Sequence, residues 1–234
     1  MFGRQKIATL VAEFLGTGVL TLLILTVQRS TIGVPFFVAA VAGLAVMLMT
    51  FSLGSATKAH FNPAITLGWW TARRIETITA ILYIAVQFFG AFCAYALYKY
   101  YVHNSLQQVG GHFTGRILVA EAVGTGVFAF GFAAAVYQGF TRAVTASFVG
   151  LSLMLGVLAA SSASIGLLNP AVALGVKAFV PGTYVLGPVI GAIVGINLYA
   201  LLFAEQTVRP VRVGSPVAVA SKKPVLKKKS SSKK

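Results

Sequence analysis

The sequence predicts an all-α membrane protein: six transmembrane helices plus two re-entrant half-helices, arranged as an inverted repeat. Three observations predict it. Of 234 residues, 57% are hydrophobic and only 10% charged, with mean hydropathy +0.85. Soluble domains carry about 25% charged residues. The triplet Asn-Pro-Ala occurs twice, as Asn62-Pro63-Ala64 and Asn169-Pro170-Ala171, a spacing of 107. Finally, AEFLGTGVL at 12–20 returns as AEAVGTGVF at 120–128, six identities in nine at a spacing of 108.

In chain order, the first span covers residues 7–27, after Arg4 and Lys6. Its apolar run is too long for a signal-peptide core, and no small-x-small cleavage site follows. The second span is Pro35 to Ser55, and the first re-entrant unit Ala59 to Arg74. A third span runs from about Thr77 to Tyr98, then a polar loop from Val102 to Thr114 holds His103 and His112. Ile117 to Tyr137 and Ala143 to Ala163 are the fourth and fifth spans. The link Ser161 to Ser164 enters the second re-entrant unit, which Pro181-Gly182 ends, and the sixth span is Thr183 to Ala204.

The channel domain is thus 1–206, with repeats of about 7–101 and 115–205, and 207–234 is a disordered basic cytoplasmic tail. Three spans separate equivalent points of the two repeats. An odd number inserts the second copy upside down, and inverted repeats with broken helices place a site at the midplane.

Each triplet is a helix start. Asn caps by accepting from an orphan backbone N–H, and Pro suits the first helical position. Helices of about 10–12 residues would follow, each covering about half of a ~30 Å bilayer core. Two of them entering from opposite faces would meet near the middle, each Asn NH₂ free to donate into a pore. A water held there by its oxygen points its hydrogens outward along both arms, which interrupts a proton wire, and the half-helix dipoles repel cations.

Glu13 and Glu121 occupy equivalent places in spans one and four. Carboxylates at membrane depth need partners. They are read either as a proton or ion relay or, the favoured reading, as acceptors for backbone N–H groups of the non-helical re-entrant loops. His60 joins them as a loop-supporting candidate. Gln87 serves packing or a similar bond. Gly187, Gly191 and Gly195 fall on one face of span six and let helices approach. Cys93, the only cysteine, excludes an intrachain disulfide and reads as a small buried packing residue.

Nineteen Lys and Arg against four acids give a net charge of +15. Arg4, Lys6, Lys58, Arg73, Arg74, Arg142 and nine basic residues from 209 onward share one side, against Arg29, Lys99, Arg116 and Lys177 on the other. Both termini are therefore expected to be cytoplasmic, in the plasma membrane, with the tail against anionic lipid rather than nucleic acid. No nucleophile elbow, P-loop, HExxH or His/Cys/acid cluster points to an enzyme, a cofactor or a metal.

The stretches AEFLGTG, AHFNPAITLG (59–68), QFFGA (87–91), AEAVGTG, LNPAVALG (168–175) and GPVIGA (187–192) resemble the major intrinsic protein family of aquaporins and aquaglyceroporins. The resemblance covers residues 7 to about 204. It implies a homotetramer with a pore in every subunit, and bidirectional flux of water or small uncharged solutes down their gradients. It also implies a second constriction at Ala42, Val157, Gly166 and Val172. There this chain departs from the family, where Arg usually follows the second triplet and water-selective members carry an aromatic and a His in place of Ala42 and Val157. The aquaglyceroporin Asp is replaced by Ala173. These departures imply a wide, apolar filter that passes neutral solutes larger than water, such as glycerol, urea or ammonia, together with water. The alternatives are a strictly water-selective aquaporin, a secondary transporter, and a closed-pore structural membrane protein.

Overall fold

The computed structural model describes residues 3–31, 33–104 and 106–204, and the expected tail lies outside them. Among the described residues all regular structure is helical. The order is α1 (Arg4–Gln28), α2 (Pro35–Leu53), α3 (Pro63–Thr71), α4 (Thr77–Val102), α5 (Gly115–Tyr137), α6 (Arg142–Ala160), α7 (Pro170–Gly175) and α8 (Leu186–Leu202). A π-helical turn, Pro181–Val185, leads into α8. Proline stands in the first turn of α2, α3, α7 and this π turn, where its missing N–H costs nothing.

Among the described residues six stretches are long and apolar enough to cross a membrane: α1, α2, α4, α5, α6 and Pro181–Leu202. The shortest has 19 residues, which at ~1.5 Å per residue nearly matches a ~30 Å hydrocarbon core. Large apolar side chains such as Leu44 and Leu48 on α2 and Leu151 and Leu155 on α6 face outward, as lipid contact requires. Cys93 is half-buried rather than buried.

The half-helices are shorter than expected. α3 has nine residues and α7 only six. Each is stopped by a non-glycine residue in the left-handed region, Arg73 at φ 58° and Lys177 at φ 65°. Behind them Arg74 N–H reaches Trp69 O and Ala178 N–H reaches Ala173 O, both at 2.9 Å, the bond that closes a helix C-terminus over its last turn. The second re-entrant unit therefore leaves the helix at Gly175, well before Pro181-Gly182. Pro181 opens the last crossing helix, two residues ahead of the expected Thr183.

The repeat is visible in the packing. α1 packs on α4 as α5 packs on α8, α3 lies against α8 as α7 lies against α4, and α2 crosses α6. Glycine makes the closest crossings. A Cβ on Gly90 would stand 2.3 Å from Phe14 O, and on Gly191 2.1 Å from Ala122 O, equivalent contacts in the two halves. At the α2–α6 crossing Gly43 and Gly150, themselves 107 apart, face each other. A Cβ on Gly150 would come within 2.5 Å of Gly43 O.

Candidate functional site

The two loops that carry the triplets are built alike. In the first, Ala59 and Phe61 take left-handed φ values of 53° and 49°; in the second, Gly166 and Leu168 take 65° and 53°. Both pairs are 107 apart. For Ala, Phe and Leu this region costs about 1–2 kcal/mol per residue, so something must hold the loops in shape.

Two carboxylates and two amides do so. Glu13, fully buried, accepts from His60 N–H (3.0 Å), Phe61 N–H (2.8 Å), Gln87 Nε2 (2.8 Å) and the Thr57 hydroxyl. Glu121, also fully buried, accepts from Leu167 N–H (3.0 Å), Leu168 N–H (2.7 Å) and the Ser164 hydroxyl. Asn62 Oδ1 caps α3 through Ala64 N–H at 2.8 Å. Asn169 Oδ1 caps α7 through Ala171 N–H at 3.0 Å and Val172 N–H at 3.3 Å. The amides then cross over: Asn62 Nδ2 donates to Leu168 O at 2.8 Å, and Asn169 Nδ2 to Phe61 O at 2.9 Å. Each left-handed residue at a loop tip is thus gripped at both ends, its N–H by a glutamate and its C=O by the opposite asparagine.

The expectation that both Asn NH₂ groups stay wholly free needs correction. Each NH₂ has two N–H bonds, and one is spent on the opposite loop, which leaves one. Pro63, Ala64, Pro170 and Ala171 are buried in the first turns behind the asparagines.

His60 is buried, and its Nδ1 lies 3.1 Å from Thr66 Oγ1. His103 and His112 are exposed in the loop between α4 and α5. That loop is tied to the far end of α7, where Val109 N–H reaches Lys177 O at 2.9 Å and Arg29 Nη2 reaches Gln107 O at 2.9 Å. On the opposite face Lys58 Nζ donates to Arg74 O, and burial, then the Arg74 charge, pushes the Lys58 ammonium below its usual range. Among the described residues no three of His, Cys, Asp and Glu cluster to hold a metal ion.

Between the loops lies a cavity of about 10 Å³, room for one water. Its wall repeats the chain's symmetry: Asn62 with Asn169, Leu20 with Phe128, Val46 with Leu153, and His60 with Leu167. Ala42 and Val157 also line it, without a charged side chain. The other two positions of the expected four-residue filter do not line it. Val172 is fully buried, and Gly166 lies against Val157, where a Cβ would meet Val157 O at 3.0 Å.

Thr57 and Ser164 escaped the sequence reading, although they stand five residues before each Asn and 107 apart. Gln87 has no counterpart in the second half, which is why Glu121 has one donor fewer.

A family model described as "Major intrinsic protein" matches residues 4–199. Aquaporin Z of Photorhabdus laumondii is 30% identical over 229 residues, covering 84% of this chain and 98% of that protein. A "Glycerol uptake facilitator protein-like 6" of Lactiplantibacillus plantarum is 30% identical over 207 residues, covering 78% and 92%. Among solved structures, the aquaglyceroporin from Plasmodium falciparum superposes with a TM-score of 0.73 at 19% identity, covering 84% of this chain and 96% of that one, a likeness of fold.

Proposed function

The chain belongs to the major intrinsic protein family and is a passive channel for water and small solutes rather than an enzyme, and we propose that its pore runs between Asn62 and Asn169 and carries neutral solutes larger than water. The observation that carries this reading is the shared wall: both asparagines, Ala42 and Val157 line one cavity without a fixed charge. The remaining N–H of each Asn orients a passing water by its oxygen and breaks proton relay. With α7 only six residues long, these local donors matter more than its dipole. Cations are rejected by the cost of desolvation in an apolar passage.

Ala42 and Val157 offer little bulk, and a similar chain bears the name of a glycerol uptake facilitator. Glycerol, urea and ammonia are therefore the solutes to expect, with Leu20, Ile24 and Leu153 changing rotamer as the larger ones pass. Glu13, Glu121 and His60 hold the loops. The chain works as a homotetramer in the plasma membrane, both termini cytoplasmic and residues 207–234 against anionic lipid. The one-water size of the central cavity favours a second reading, water alone. Light scattering on proteoliposomes separates them. Swelling in glycerol and urea above empty vesicles supports the first, and water flux with both solutes excluded supports the second.

A further inference from the structure

The face on which α1 begins holds a feature that the asparagine pair does not explain. A cavity of about 400 Å³ opens there, bounded by Thr57, Lys58, His60, Trp69, Arg74 and Phe132 among others. His60 also lines the one-water cavity between the loops. His60 thus stands between the two spaces, its imidazole on the wall of both.

Three rings pack on one another here. His60 and Trp69 stack with centroids 6.4 Å apart, His60 and Phe132 meet edge-on at 6.3 Å, and Trp69 and Phe132 edge-on at 5.7 Å. Phe132 in turn stacks on Phe128 of the central wall at 6.1 Å. Trp69 is 3% exposed, yet its indole N–H is buried without a hydrogen-bond acceptor. Such a donor is costly to leave unmet and calls for a partner. Beyond the asparagines the wall is aliphatic at Ile24, Ala42, Val46 and Val157. Those four side chains supply neither a rigid ring nor a donor.

We propose that the two spaces are successive parts of one path, that the packed cluster of His60, Trp69 and Phe132 sets its width on this side of the asparagines, and that Trp69 is the specificity-determining residue there. The three flat, mutually packed rings must part for a larger solute, and the indole N–H, sealed from both spaces at rest, is uncovered as the Trp69 ring turns and then repays part of the hydration that a neutral acceptor-bearing solute such as an amide or polyol gives up. Lys58 and Arg74 at the mouth repel cations before they reach it. The Arg74 guanidinium is held 4.5 Å from the centre of the Tyr137 ring. This inference rests on the reading of the chain as a solute-passing pore.

The test measures water, urea and glycerol permeability of the full chain in proteoliposomes. Trp69→Leu removes ring and donor and is expected to raise the glycerol-to-water ratio by about tenfold, more than Val157→Ala does. Trp69→Phe keeps a ring and drops only the N–H; the urea-to-water ratio is expected to fall about threefold. A folded Trp69→Leu protein, with wild-type helicity and elution, whose ratio stays within about twofold of wild type overturns the proposal. Should Trp69→Leu not fold, an unchanged urea-to-water ratio in Trp69→Phe overturns it instead. If wild type passes water alone, the solute reading fails. The aromatic ring then stands only if Trp69→Leu admits urea or glycerol.

Discussion

Replacing Glu121 by Gln tests how the loops are held. The carboxylate offers one oxygen to the Ser164 hydroxyl and Leu167 N–H and the other to Leu168 N–H. Glutamine keeps one oxygen and presents an NH₂ group in place of the other. The Ser164 hydroxyl can rotate to accept from that NH₂, but a backbone N–H cannot. Whichever way the amide turns, one buried backbone donor, Leu167 or Leu168, loses its partner. That costs about 1–3 kcal/mol, or a melting point lower by roughly 2–12 °C for a chain of this size. If the orphan is Leu168, its left-handed φ of 53° loses one of its two anchors and its C=O drifts from Asn62. The assay is thermal unfolding of the detergent-solubilised protein, beside water permeability per folded channel. A lower melting point with unit permeability within about twofold of wild type is expected. An equally stable variant whose flux has lost a pH dependence present in wild type would refute the anchoring role and restore the proton relay.

Two further substitutions follow. Gly150→Ala pushes a Cβ to 2.5 Å from Gly43 O at the α2–α6 crossing, whereas Gly126→Ala meets nothing nearer than 3.6 Å. The first should lower the melting point by the equivalent of about 1–3 kcal/mol and the second much less, and equal effects would show that the crossing can separate freely. Val172→Arg places a long cation where a buried valine stands beside the Asn169 cap. It should cut glycerol and urea permeability about tenfold more than water permeability, and an equal fall in all three would mean a blocked or misfolded pore.

Much of this architecture was legible because the chain says it twice. Glu13 and Glu121 stand out as identical residues inside a nine-residue repeat, and the triplets mark where the crossing helices are interrupted. Thr57 and Ser164 escaped notice because the two halves use different residues for one hydroxyl. The short half-helices were not legible either. Arg73 and Lys177 carry no local signal for a left-handed cap, and only the bonds from Arg74 and Ala178 back to Trp69 and Ala173 make that conformation worth its strain. Nor could spacing show that each asparagine spends one N–H on the opposite loop. That bond joins residues 106 positions apart in one case and 108 in the other.

The most direct measurement of the whole mechanism loads wild-type proteoliposomes with a pH-sensitive dye and follows volume and internal pH together. Water and glycerol should cross faster than in empty vesicles, in proportion to their gradients and without saturation. Proton entry should stay at the empty-vesicle rate, because each Asn N–H holds a passing water by its oxygen. Solute flux that saturates and follows an imposed proton gradient, or protons that enter with the water, would contradict a passive pore interrupted at Asn62 and Asn169.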